Sequence, residues 1–243
     1  MATSDILNFT EIPTVDYGFE RFEFYEYELL ARTNLNSTEE IRINIEQQDL
    51  FTLPSEAYLL FEGRLLKLDG TAYANADAVA LTNNGIMHLF SEASYQLSNQ
   101  NIESYKDSST TAVLADNSGF AVRQSHIIQK SNTKGTFSFR IPLRYIFGFC
   151  DDYNKVIYGF KHTLTLVRKS DTGAIFRNAL AAAGKVNLDK ISLFMPHVIP
   201  LDLERVNLYK SIESKVTITV TFRARHCDTI TVPQSTTFFG DLA

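Results

Sequence analysis

The strictest alternation of apolar and polar residues runs from Lys215 to Arg225. Val216, Ile218, Val220 and Phe222 fall on one side, and Thr217, Thr219, Thr221, Arg223 and Arg225 on the other. A period of two predicts a strand with one face buried against a sheet. The same pattern recurs in shorter form. Ile41, Ile43 and Ile45 alternate with Arg42, Asn44 and Glu46; Phe137, Phe139 and Ile141 alternate with Thr136, Ser138 and Arg140. From Phe160 to Arg168, His162, Leu164 and Leu166 continue the face of Phe160. Further strands are expected over Phe19–Tyr27, Ala57–Leu68, Ser94–Leu97, Phe120–Gln129, Val186–Met195 and Thr229–Phe239. The first of these, FERFEFYEY, reads as core; a surface that meets a neighbouring subunit is the alternative.

Helical spacing is confined to short stretches. Leu143, Ile146 and Phe147 form an apolar turn after Pro142, closed by Gly148. Leu81–Phe90 predicts a short helix through Ile86, Leu89 and Phe90, and Leu201–Ile212 another through Leu203, Val206, Tyr209 and Ile212. Turns are expected at Asn34–Ser37, Leu53-Pro54-Ser55, Asp69-Gly70, Ser131–Gly135, Asp151–Asn154 and Ser170–Gly173. Pro196 and Pro200 bound a corner, and Asn178–Lys185 is a helical turn or a loop. Asn101–Gly119 is rich in Ser, Thr, Asn and Asp and reads as a long polar loop. Strands joined by corners predict an all-β sandwich with a few short helices. Residues 1–18 form an N-terminal arm, 19–199 the sandwich, and 200–243 a helix followed by one or two more strands.

Composition supports a real core: 44% of the 243 residues are hydrophobic, with 18 Phe and 11 Tyr. The net charge of −5 is dispersed, which argues against a dedicated nucleic-acid binder. Cys150 and Cys227 make neither a disulfide framework nor a zinc motif and read as buried thiols in a reducing compartment. Met1–Thr10 lacks the basic and apolar regions of a signal peptide, and no apolar run is long enough to cross a bilayer. The chain is expected to be soluble and made in the cytosol, so the glycosylation triplets at Asn8 and Asn36 are chance matches.

Reactive groups do not converge. There is no nucleophile elbow, zinc-protease motif, phosphate loop or dinucleotide fingerprint. Gly184-Lys185 is followed by Val186 rather than Ser or Thr, and Asp69, Asn75 and Asp77 lack calcium-loop spacing. His88, His126, His162, His197 and His226 are scattered, and His162, on an apolar strand face, reads as a satisfied core histidine. Asp151-Asp152 suits a turn better than an acid–base pair, and His226-Cys227 would point apart on a strand. No enzyme, cofactor or metal is expected. Arg223 and Arg225, beside His226, are the candidates for a subunit or nucleic-acid contact.

Ile141-Pro142-Leu143, Phe147-Gly148-Phe149, Tyr153 to Gly159 (YNKVIYG) and Leu164 to Arg168 (LTLVR) resemble the hexon-like major capsid proteins of Polinton (Maverick) elements and adintoviruses, which include endogenised copies. Leu208 to Lys215, Phe222 to Arg225 and Thr229 to Thr236 look like that family's passage into a second jelly roll. The resemblance implies a double jelly roll whose second roll is largely missing here: 19–199 is the first roll, and 200–243 holds a connecting helix with the opening strands of the second, or closing strands of the same sandwich. It further implies a trimeric capsomer, partnership with copies of itself and with other capsid proteins, weak contact with packaged DNA, no membrane partner, and a place in the virion after synthesis in the host cytoplasm, with assembly there or in the nucleus. A host-domesticated or stand-alone β-sandwich that binds glycan or protein is the alternative.

Overall fold

The computed structural model describes residues 18–29, 35–37, 40–106, 118–129, 135–215, 217 and 219–224. The expected arm, apart from Gly18, and the expected strand Thr229–Phe239 lie outside them.

The described residues form ten strands: β1 Phe19–Tyr27, β2 Glu40–Ile45, β3 Tyr58–Lys67, β4 Val79–Leu81, β5 Phe90–Leu97, β6 Gln100–Lys106, β7 Thr136–Pro142, β8 His162–Arg168, β9 Ile175–Arg177 and β10 Gly184–Pro200. One sheet has the order β1-β10-β3-β7, the other β2-β8-β5-β6, and β4-β9 is a small ribbon. Every ladder is antiparallel. The pairs nest: β1 with β10, β2 with β8, β3 with β7, β5 with β6. A long hairpin wrapped over itself into two four-stranded sheets is a jelly roll, so the fold is an all-β jelly-roll sandwich.

The core lies between the inner faces. Ile41, Ile43 and Ile45 of β2 meet Leu59, Phe61 and Leu65 of β3, with Leu164, Leu166, Tyr95, Leu193 and Met195 around them, all buried. Each such side chain stabilises the fold by roughly 1.5–3 kcal/mol. Arg168 is buried at the edge of this core. It donates to Asp171 Oδ1 at 2.6 Å and to the Val186 carbonyl at 2.9 Å, while Asp171 Oδ2 accepts from Val186 N at 2.8 Å. The end of β8 is thereby tied to β10.

Several expectations are corrected. Phe120–Gln129 is not a strand: α1 spans Ser118–Ile127, and Ile128 and Gln129 follow it as a turn. Its inward side includes Arg123 and Gln124, which donate to the carbonyls of Leu81 and Asp77, so polar residues occupy a helix face that periodicity expects to be apolar. Leu81–Phe90 is no helix; β4 ends there, a 3-10 turn spans Met87–Leu89, and β5 starts at Phe90, earlier than Ser94. The polar loop from Asn101 begins as β6, half of a hairpin with β5. Of Asn178–Lys185, residues 178–183 take the loop reading, and Gly184 and Lys185 already belong to β10. Pro196 bounds no corner, because β10 runs through it to Pro200. Beyond Phe194 the neighbour β3 has ended, and a residue without an N–H is tolerated there.

Lys215–Arg225 forms no strand among its described residues: 217 and 219–224 are extended or irregular with no sheet partner, and Val220 is exposed. Alternation expresses a preference for a sheet face, but without a neighbouring strand the ladder has nothing to bond.

Candidate functional site

β1 forms as expected, yet it is the edge of its sheet and its aromatic residues are not core. Phe19, Phe22, Phe24 and Tyr25 are each about two-fifths exposed (39–43%). Period two sends Phe22 and Phe24 to the outer face of the sheet. There Phe24 meets Tyr58 of β3 at 5.4 Å, Tyr58 stacks on Phe194 of β10 at 4.8 Å, and the Arg140 guanidinium of β7 lies 3.7 Å above the Tyr58 ring. An aromatic row capped by a cation thus crosses all four strands on the side away from the core. Apolar patches of this kind mark contact surfaces.

α3, Asp202–Glu213, leaves the end of β10 and buries none of its twelve residues. Leu203 (72% exposed), Val206, Tyr209 and Ile212 form an apolar stripe that stays largely uncovered. Tyr209 alone among them makes ring contacts, with Tyr158 at 5.6 Å and Phe51 at 6.2 Å. A helix of this length is marginal by itself in water.

The segment after α3 lies across α2, Gly148–Asp152. Phe222 meets the Phe149 ring edge-on at 5.4 Å. Arg223 N donates to Asp152 Oδ2 at 2.7 Å, and its guanidinium reaches Asp152 at 2.6 Å and Asp151 at 3.5 Å. These bonds hold the Asp152 carboxyl down at about 2. Gly148 is required: a Cβ there would stand 1.8 Å from the Arg223 carbonyl oxygen. Of the two candidate arginines, Arg223 is therefore engaged with the adjacent aspartates, and Arg225 lies outside the described residues. The sequence marks Asp151-Asp152 as a turn; it carries no sign that they receive Arg223 from some seventy positions away.

Side chains with chemical potential are quenched. Cys150 is buried, and burial, then the Glu103 charge, push its thiol up, away from the thiolate a nucleophile needs. Glu103 accepts from Phe149 N at 3.0 Å. His162 is the satisfied core histidine expected, bonded to Tyr95 and Thr52. Among the described residues no cluster of three His, Cys, Asp or Glu could hold a metal. A groove of about 590 Å³ runs beside β7, between residues 81–87, Arg123, 139–142 and Tyr145, and gathers no histidine, cysteine or carboxylate. No described helix is long and apolar enough to cross a membrane.

A family model described as a double jelly roll-like domain matches residues 79–240. No curated protein matches. Among solved structures, the chain is similar to PBCV-1 VP54 as fitted into a reconstruction of the virophage Sputnik, with a TM-score of 0.46 and 12% identity over 80% of this chain and 46% of that one. It is also similar to the Faustovirus major capsid protein (0.44, 9% identity, 83% and 59% covered) and to a subunit of the PBCV-1 capsid (0.43, 13%, 80% and 46%). The chain spans about half the length of these structures.

Proposed function

The chain belongs to the double jelly roll-like domain family, and from that premise we propose that it is a structural protein of the viral major-capsid type, acting by self-association and not by catalysis. The observation that carries the reading is the apolar surface left bare once the roll is complete: the aromatic row on the outer β1-β10-β3-β7 face and the stripe on α3. Neither contributes to the core. Both suit burial against another roll, and obligate interfaces commonly bury more than about 2,000 Å² in total. The quenched thiol and histidine, and the lack of converging groups among the described residues, support a non-enzymatic role.

The finer reading follows the motifs. The Tyr153–Gly159 and Leu164–Arg168 segments favour the Polinton and adintovirus lineage, a trimeric capsomer, and residence in the virion after synthesis in the host cytoplasm. Residues 19–199 act as one roll, and 200–243 supply the connecting helix and the opening strands of a second. The strand-like pattern at 215–225, unpaired among its described residues, supports this division, since such a segment gains a ladder only from a further sheet. Arg223 serves the Asp152 clasp in place of packaged DNA, so the Arg223→Ala, Arg225→Ala double variant should leave DNA retention and its salt slope unchanged. Electron microscopy of the expressed chain tests the reading. Discrete capsomers or shells are expected; isolated single rolls at every concentration would overturn it.

A further inference from the structure

Assembly does not use the buried polar chain beneath β8. His162 Nδ1 lies 2.6 Å from the Tyr95 hydroxyl, and Nε2 lies 2.9 Å from Thr52 Oγ1. Thr52 Oγ1 also donates to the Ile157 carbonyl at 3.2 Å. A hydroxyl has one proton to give. With that proton spent on Ile157, Thr52 must accept from Nε2–H, and Nδ1 must accept from Tyr95. Of the two neutral tautomers, only the one with its proton on Nε2 satisfies all three bonds. A second proton, on Nδ1, would turn Tyr95 from donor to acceptor and leave its own O–H unspent, for Tyr95 is fully buried with no other hydrogen bond among the described residues.

Thr52 is also a clasp. Its N–H donates to Ile157 O at 2.9 Å and its carbonyl accepts from Ile157 N at 2.8 Å; alongside, Val198 N donates to Phe51 O and Leu53 N to Pro196 O. The clasp joins the approach to β8 to the far end of β10. Its flanking residues, Phe51 and Tyr158, stack at 4.6 Å and form the seat against which Tyr209 of α3 rests. The polar chain therefore ends at the aromatic seat of a helix that buries no residue of its own.

We propose that His162 is the trigger of an acid-operated latch: its protonation takes the acceptor from the Tyr95 hydroxyl and places a buried charge with no counter-ion beside Thr52, which favours opening of the Thr52–Ile157 clasp and unseats α3 with the segment that follows. The surroundings offer the imidazolium no counter-charge. From β10, His197 faces it across Thr52, bonded to the Tyr27 hydroxyl at 2.8 Å and stacked on Tyr25 at 4.2 Å, with Glu23 nearby on β1. From β5 comes Tyr95, and from β2 the apolar Ile45. Beyond Tyr95 stand Cys150 and Glu103, the latter bonded to Phe149 N–H. At the surface Lys161 pairs with Glu46 at 2.7 Å. Burial, and then the neighbouring His197, hold the His162 imidazole down at about 4.

Hydrogen exchange of the full chain, read by mass spectrometry at pH 7.5 and pH 4.5 and corrected for intrinsic rates, tests the latch. Peptides covering 157–159 and 202–213 should lose protection by about tenfold or more at the lower pH, while β3 and the centre of β10 hold. His162→Gln should abolish the difference, and His197→Gln should keep it. Should His162→Gln fail to fold, Tyr209→Ala serves: 157–159 still responds to acid, and 202–213 is poorly protected at both pH values. Equal protection of 202–213 at both pH values in the native protein, a response that survives His162→Gln, or 157–159 unresponsive in Tyr209→Ala, overturns the proposal.

Discussion

At Gly63 the middle of β3 has a strand on either side, and a Cβ would stand 2.4 Å from the Asn187 carbonyl oxygen and 2.8 Å from the Phe137 ring. Neither backbone nor packed ring can give way cheaply. Gly63→Ala should cost about 1–3 kcal/mol in urea unfolding, as overpacked cores do; an unchanged midpoint would show that β3 and β10 sit further apart. Two ionisable residues lose their support as pH falls, one by favouring its neutral form and the other its charged form. His162 is held at about 4 against an ordinary 6.5, so the fold favours its neutral form. Its contribution is complete above about pH 6.5, declines as pH falls toward 4, and amounts to about 3 kcal/mol. Asp152, held at about 2 by Arg223, stabilises its charged form, and that support is lost only as pH drops below the ordinary 3.8 toward 2. Urea midpoints measured from pH 7.5 to 2.5 should therefore fall first in the histidine window, and His162→Gln should flatten that step alone.

Among the elements, β2, β7 and β8 are legible from alternation because each turns one face to the core and the other outward, so every second residue reports burial. α1 is hidden because Arg123 and Gln124 point inward and bond to carbonyls, and a pattern of apolar positions cannot register a polar inner face. β1 is legible as a strand but not in its setting: at an edge, aromatic residues stay partly bare on both faces. Lys215–Arg225 reads as a strand and is none among its described residues, because alternation records only what a segment would bury, whereas a ladder needs a second strand. The long-range clasp of Arg223 on Asp152 leaves no local trace at all. α3 is legible as a helix from its threefold spacing, but the same spacing does not say that its stripe stays largely uncovered. Leu203→Lys with Val206→Lys should leave the unfolding free energy within about 0.5 kcal/mol of the native value, as exposed substitutions do, while weakening self-association measured by sedimentation. A large loss of stability would instead place the stripe in the core.

On the scale of the whole molecule, eight strands close one roll, and what is left over is apolar surface: a row of rings across one sheet and a helix without burial. A rigid sandwich with quenched reactive groups and bare apolar faces is suited to fitting against copies of itself. Phe22→Lys with Phe24→Lys strikes the sheet face and spares the core, so the two lysine pairs separate the contributions of sheet and helix to assembly. Self-association is measured by multi-angle light scattering of the purified chain across a wide concentration range. A defined oligomer whose mass falls in both lysine variants is expected; a strict monomer at the highest concentration, native and variants alike, would overturn the assembly reading.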